Sequence, residues 1–138
     1  MSLNTQMPHL SFIIVCQKVE DANGQLNFYG IADIITVNSS ATNMPIAPVE
    51  LFVVVAIFSQ NKSQSYPSKL TMQLPSGNEM ELATFVLGND AGKYVGREIM
   101  PFCFEFEQSG LYWLNIYIGG QLRGQSPLLV RYERELVH

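Results

Sequence analysis

The sequence predicts an all-β fold, a sandwich of two antiparallel sheets with about seven to nine strands. Hydrophobic residues recur with a period of two, as in "FCFEFE" (102–107) and "LYWLNIYI" (111–118), which is the spacing that puts alternate side chains on one face of a strand. Clusters of Gly, Pro, Asn and Ser separate these runs, and such clusters punctuate strands. No segment of ten or more residues carries the 3.6-residue apolar stripe of an amphipathic helix.

The elements follow in order. "HLSFIIVC" (9–16) is β-branched and aromatic and reads as a strand. "EDANGQ" (20–25) contains Asn-Gly, the dipeptide that best tolerates the positive φ values of a tight hairpin turn. "LNFYGIADIITV" (26–37) reads as the return strand, with a bend or bulge at Gly30. Two prolines in "NSSATNMPIAPV" (38–49) predict a loop. "ELFVVVAIFS" (50–59) is apolar on both faces, as a central or doubly covered strand must be. "QNKSQSYP" (60–67) is a second loop. "SKLTMQL" and "EMELATFVL", joined by "PSGN", form a second hairpin in which Leu70, Met72 and Leu74 meet Met80 and Leu82. "GNDAGKYVG" (88–96) is a Gly-rich connection.

In "REIMPFCFEFE" (97–107), Met100, Phe102, Phe104 and Phe106 point inward, and Cys103, Glu105 and Glu107 outward. Pro101 has no N–H for a ladder and marks an edge or a bulge. In the last hairpin, Tyr112, Leu114, Ile116 and Ile118 form the core face, leaving Leu111, Trp113, Asn115 and Tyr117 on the other. An inward Tyr at the start of a late strand matches the tyrosine corner of β-sandwiches, whose hydroxyl bonds a nearby backbone group. "RYERELVH" (131–138) is a charged tail, a last partial strand or a short helix. A single domain over 8–132 is expected, with residues 1–7 and 133–138 as loosely attached termini.

Composition excludes several functions. The 138 residues are 47% hydrophobic and 14% charged, against about 25% charged in typical domains. The surface is therefore mostly neutral and polar, and weakly guarded against association. Net charge is −4 and the eight Lys and Arg are scattered, so neither nucleic acid nor an anionic membrane finds a basic footprint. No run approaches the roughly 18 apolar residues of a membrane span. "MSLNTQMPHL" has no signal-peptide pattern. By strand parity Cys16 faces inward and Cys103 outward, so no disulfide is expected, and two free thiols suit the cytoplasm.

Catalytic chemistry finds little support. The two histidines, His9 and His138, stand at the chain ends and form no triad or zinc spacing. "DANGQ" (21–25) lacks the later Gly and Glu of a calcium loop, with Leu26 and Ala32 in their places. Glycines 88, 92 and 96 with Lys93 do not make a phosphate-binding loop. Glu79/Glu81 and Glu105/Glu107 are same-face pairs on strands and read as solvated charge. Asp33, beside the Gly30 bend, reads as a bend carboxylate accepting backbone N–H bonds. No catalytic residue, cofactor or metal is expected. The candidate binding face is Trp113, Asn115 and Tyr117, because outward aromatics two residues apart can anchor a protein or stack on a sugar.

"SGLYWLNIYIGGQLRGQSPLLV" (109–130) resembles the final hairpin of filamin-type immunoglobulin-like repeats, in its Gly-x-Tyr, Gly turn and Gly-x-Ser-Pro. Together with "PHLSFIIVCQKVEDANGQLNFYGIADIITV" and "YPSKLTMQLPSGNEMEL", it resembles an uncharacterised bacterial family of small β-sandwich proteins, a domain of unknown function. These resemblances imply an immunoglobulin-like sandwich and bring no site residues. The functional expectation is a non-catalytic protein-binding or self-associating assembly module. A carbohydrate-binding module using Trp113 and Tyr117 with Asn115 and Gln121 is the first alternative. A hydrolase built on Asp33 or a glutamate pair is the second.

Overall fold

A computed structural model describes residues 7–59, 64–88 and 94–136. Among them nine strands form two sheets: β1 (His9–Ala22), β2 (Gln25–Ile31), β3 (Ile34–Ser39), β4 (Ala47–Phe58), β5 (Ser65–Gln73), β6 (Glu79–Gly88), β7 (Val95–Phe106), β8 (Gly110–Ile118) and β9 (Gln121–Arg134). The four-stranded sheet has the order β2-β1-β4-β7, and the five-stranded sheet β3-β9-β8-β5-β6. The fold is an all-β sandwich. The readings of Lys93 and His138 lie outside the described residues.

The inner faces supply the core. Val53, Val55 and Ile57 of β4 meet Leu114, Ile116 and Ile118 of β8, all fully buried. Burying one such side chain stabilises by about 1.5–3 kcal/mol. Phe104 stacks on Phe106, whose ring meets the edge of Tyr112 at 5.1 Å. The Tyr112 hydroxyl donates to the Gln108 carbonyl at 2.7 Å, so the expected corner forms and the one polar atom of this deep ring is satisfied. Cys16 is buried, Cys103 exposed, and both are free thiols, but Cys16 is not inward as strand parity predicts: a register shift between Leu10 and Phe12 gives Val15 to the core and turns Cys16 to the outward face beside Phe52.

Three further expectations are corrected. The run 26–37 is two strands in different sheets. Gly30 has φ +64°, Ala32 N–H donates to the Val15 carbonyl, and Leu129 N–H donates to the Asp33 carbonyl, which carries the chain across at 32–33. Because the chain changes sheet there without reversing, β3 runs parallel to β9, from Ile34↔Leu129 to Ser39↔Arg134, rather than antiparallel. Paired in this way, β9 runs to Arg134. The region 38–49 is only partly loop, since β3 reaches Ser39 and β4 starts at Ala47.

Pro48 fits inside a strand because β4 pairs there with β7 alone. The same holds for each proline within a strand. Pro67 pairs only with β6, Pro101 only with β4, and Pro127 only with β8. Each missing N–H falls where no second ladder needs it.

The solvent side of the four-stranded sheet is also covered. Val54 is 0% exposed and Ala56 2%, although both point away from the core. Phe12, Ala56 and Arg97 form one row across β1, β4 and β7. A straight hairpin would carry Gly24 eight residues beyond Cys16, about 26 Å at the usual rise. Instead Arg97 Nη2 donates to the Gly24 carbonyl at 2.8 Å, and the Phe28 ring meets Phe12 edge-on at 5.7 Å. The β1–β2 hairpin therefore folds back over its own sheet. Gly30 has a φ of +64°, a conformation that favours glycine, and a Cβ there would also crowd the Gln17 side chain.

Candidate functional site

Sheet parity places Trp113, Asn115 and Tyr117 together on the outer face of the five-stranded sheet. Their cross-strand neighbours on β5 are Gln73, Thr71 and Lys69. On β9 Trp113 faces Pro127, and Asn115 faces Gln125. Trp113 and Tyr117 are half-buried by these neighbours, whereas Asn115 is only 2% exposed.

The upper part of the face is a closed polar network. One oxygen, Glu79 Oε2, accepts from Thr71 Oγ1, from Tyr117 OH at 2.8 Å and from Asn115 Nδ2 at 3.3 Å. Asn115 Oδ1 accepts in turn from Gln125 Nε2 at 2.9 Å. Lys69 Nζ lies 4.9 Å from the centre of the Tyr117 ring, within cation–π reach. The bonds from Thr71, Tyr117 and Asn115 stabilise the ionised carboxylate, so the Glu79 pKa lies below its usual value; Lys69 adds a smaller effect of the same sign. Tyr117 is shifted upward, mainly because its proton is held by Glu79. Asn115 and the Tyr117 hydroxyl are thus committed within the protein, and the aromatic side chains supply what remains for a ligand.

The lower part is apolar. Ile34, Leu129 and Leu111 form a row across β3, β9 and β8. Ile34 is 47% exposed and Leu111 43%. Trp113 and Pro127 form the next outward row. No described element packs over this strip. Leu111 was legible as an outward residue of its strand. Ile34 was not, because its place depends on the change of sheet at 32–33.

The other candidates are dispersed. Asp33 is exposed at the sheet change. His9 is exposed and opposite Phe58. Glu105 and Glu107 lie on or just beyond β7, in the opposite sheet from Glu79 and Glu81. Among the described residues no group of three or more His, Cys, Asp or Glu could hold a metal ion, and no helix is long and apolar enough to cross a membrane.

No curated protein matches this sequence. Three solved structures show distant likeness. An immunoglobulin-like protein from Pseudomonas aeruginosa is 12% identical, with TM-score 0.46, over 93% of this chain and 99% of that one. The CARDB domain of a Pyrococcus furiosus protein, solved with di-metal ions, is 15% identical, with TM-score 0.46, over 94% of both chains. A Pseudomonas fluorescens alkylpurine DNA glycosylase bound to DNA with an abasic-site analogue is 12% identical, with TM-score 0.43; the match spans 70% of this chain and only 27% of the glycosylase. The sequence itself is placed by a family profile that matches residues 11–131, and the chain belongs to that family, DUF6941, a family of unknown function.

Proposed function

We propose that the chain is a non-catalytic module that binds a protein partner, or a second copy of itself, through the outer face of the five-stranded sheet. The observation that carries this reading is the apolar strip Ile34–Leu129–Leu111 with Trp113 and Pro127 beside it. Contiguous exposed apolar surface of this kind marks interaction sites on soluble domains. The Glu79 network holds the neighbouring side chains fixed, so little rotamer freedom is lost when a partner docks.

A glycan is the weaker reading. Sugar recognition needs hydrogen-bonding groups beside the stacking ring, and Asn115 and the Tyr117 hydroxyl already bond within the protein. Gln121 is exposed beside the Gly119–Gly120 turn.

Leu111→Asp and Trp113→Ala test the reading together. Sedimentation should show association of the wild type that both variants weaken, or a pull-down should recover a partner that both variants lose. If oligomeric state, recovered partners and glycan binding are unchanged in both, this face is not the binding site.

A further inference from the structure

A second surface lies at the opposite edge of the five-stranded sheet, where β6 and β7 part. These strands are consecutive in the chain, yet each is the outermost strand of a different sheet. At one end they touch: a Cβ on Gly96 would lie 2.7 Å from the Gly88 nitrogen. Toward the other end they diverge and leave a cleft of about 390 Å³. Met72, Met80, Leu82 and Phe104 make its apolar lining, and Glu105 and Glu107 stand on the β7 side. No Lys or Arg among the described residues lines it.

Three features specify what such a wedge accepts. First, among the described residues β6 is paired on one side only, by β5, so its other edge offers N–H and C=O groups to an added strand. β7 is the other free edge but carries Pro101, whereas β6 has no proline from Glu79 to Gly88. Second, a strand added to β6 would turn every other side chain toward the cleft. There the flexible methionines can adapt to apolar side chains of varied shape. Third, the alternate side chains would emerge on the outer face of the five-stranded sheet beside the exposed Glu81, while Glu105 and Glu107 add negative charge across the cleft.

We propose that the free edge of β6 is a strand-acceptor site for an extended protein segment in which apolar and basic residues alternate. The backbone ladder supplies the binding mode, the cleft selects the apolar positions, and Glu81, within the negative field that Glu105 and Glu107 extend, selects the basic ones. The free edge of β6 lies across β5 from Trp113, and either site can fail alone.

The test is a titration of isotope-labelled protein with a synthetic octapeptide of alternating Val and Lys, and with its Val/Glu counterpart, read by amide shifts. The Val/Lys peptide should move amides between Glu79 and Leu87, half-saturating at or below about 1 mM and more weakly as salt rises. The Val/Glu peptide should leave them still. Glu81→Lys should weaken Val/Lys binding roughly tenfold. Met80→Asp, at an already exposed position, should weaken both the shifts and the affinity, and Trp113→Ala should change neither. Unmoved β6 amides at about 1 mM Val/Lys peptide, equal response to both peptides, or shifts confined to the Trp113 face would overturn the proposal.

Discussion

The Tyr117 hydroxyl donates a 2.8 Å hydrogen bond to Glu79 Oε2, reaching across the whole width of β5. The same oxygen takes bonds from Thr71 and Asn115. One carboxylate therefore ties together three strands on the outer face of the five-stranded sheet, beside the apolar strip.

That arrangement gives the fold a defined pH window. Glu79 titrates below its usual value near 4.5, mainly through the bonds from Thr71 and Tyr117. Its contribution to stability is therefore full above the unfolded value and is lost as pH falls through the lower folded one. Tyr117 titrates above its usual value near 10 because its proton is shared with Glu79, so its contribution is lost as pH rises through the raised folded value. Glu79→Gln should flatten the acid limb of a plot of urea midpoint against pH. The cost near neutral pH should be no more than about 1 kcal/mol, because the site is solvent-screened. An acid limb identical to wild type would show that the network carries no linkage.

The folded-back hairpin gives a second measurable consequence. Its tip is held by Arg97 Nη2 on the Gly24 carbonyl. On the outward face Cys16 is 0% exposed, beside Phe52 and Ile31, and burial pushes its thiol pKa up. In a Cys103→Ser background, Arg97→Ala should speed labelling of Cys16 by a thiol reagent about fivefold, the effect of losing one hydrogen bond of about 1 kcal/mol. Unchanged labelling would mean that the hairpin stays closed without this contact.

At the apex of the wedge, Gly96→Ala should cost about 1–3 kcal/mol, because the new Cβ meets backbone that cannot rotate away. Gly120→Ala is the contrast. Nothing lies within 4 Å of its Cβ, so only the strain of its positive φ remains. Chemical denaturation compares the two, and a Gly96→Ala midpoint equal to wild type would place the strands further apart than described.

Much of the fold was legible along the chain. The alternation from Tyr112 to Ile118 assigned those side chains to their faces, and the doubly apolar run 50–59 required a central or doubly covered strand. What remained hidden depends on residues far apart in sequence. Nothing in "LNFYGIADIITV" separates one bent strand from two strands in different sheets. Asn115 was legible as outward but not as buried, because Glu79 and Gln125 come to it from β6 and β9.

By itself the sequence determined the period-two strands, the turns and the side of the sheet for the core residues of β7 and β8, but not for β1, where a bulge reverses the parity at Cys16. These are local properties, since a strand's pleat sends neighbouring side chains in opposite directions whatever lies beyond it. Only the tertiary structure decided the change of sheet at 32–33, the parallel β3–β9 pair, the fold-back of the first hairpin, the polar hub at Glu79 and the wedge between β6 and β7. Each depends on which distant strands become neighbours. That choice follows from burying both apolar faces of the chain at once, and no single segment encodes it.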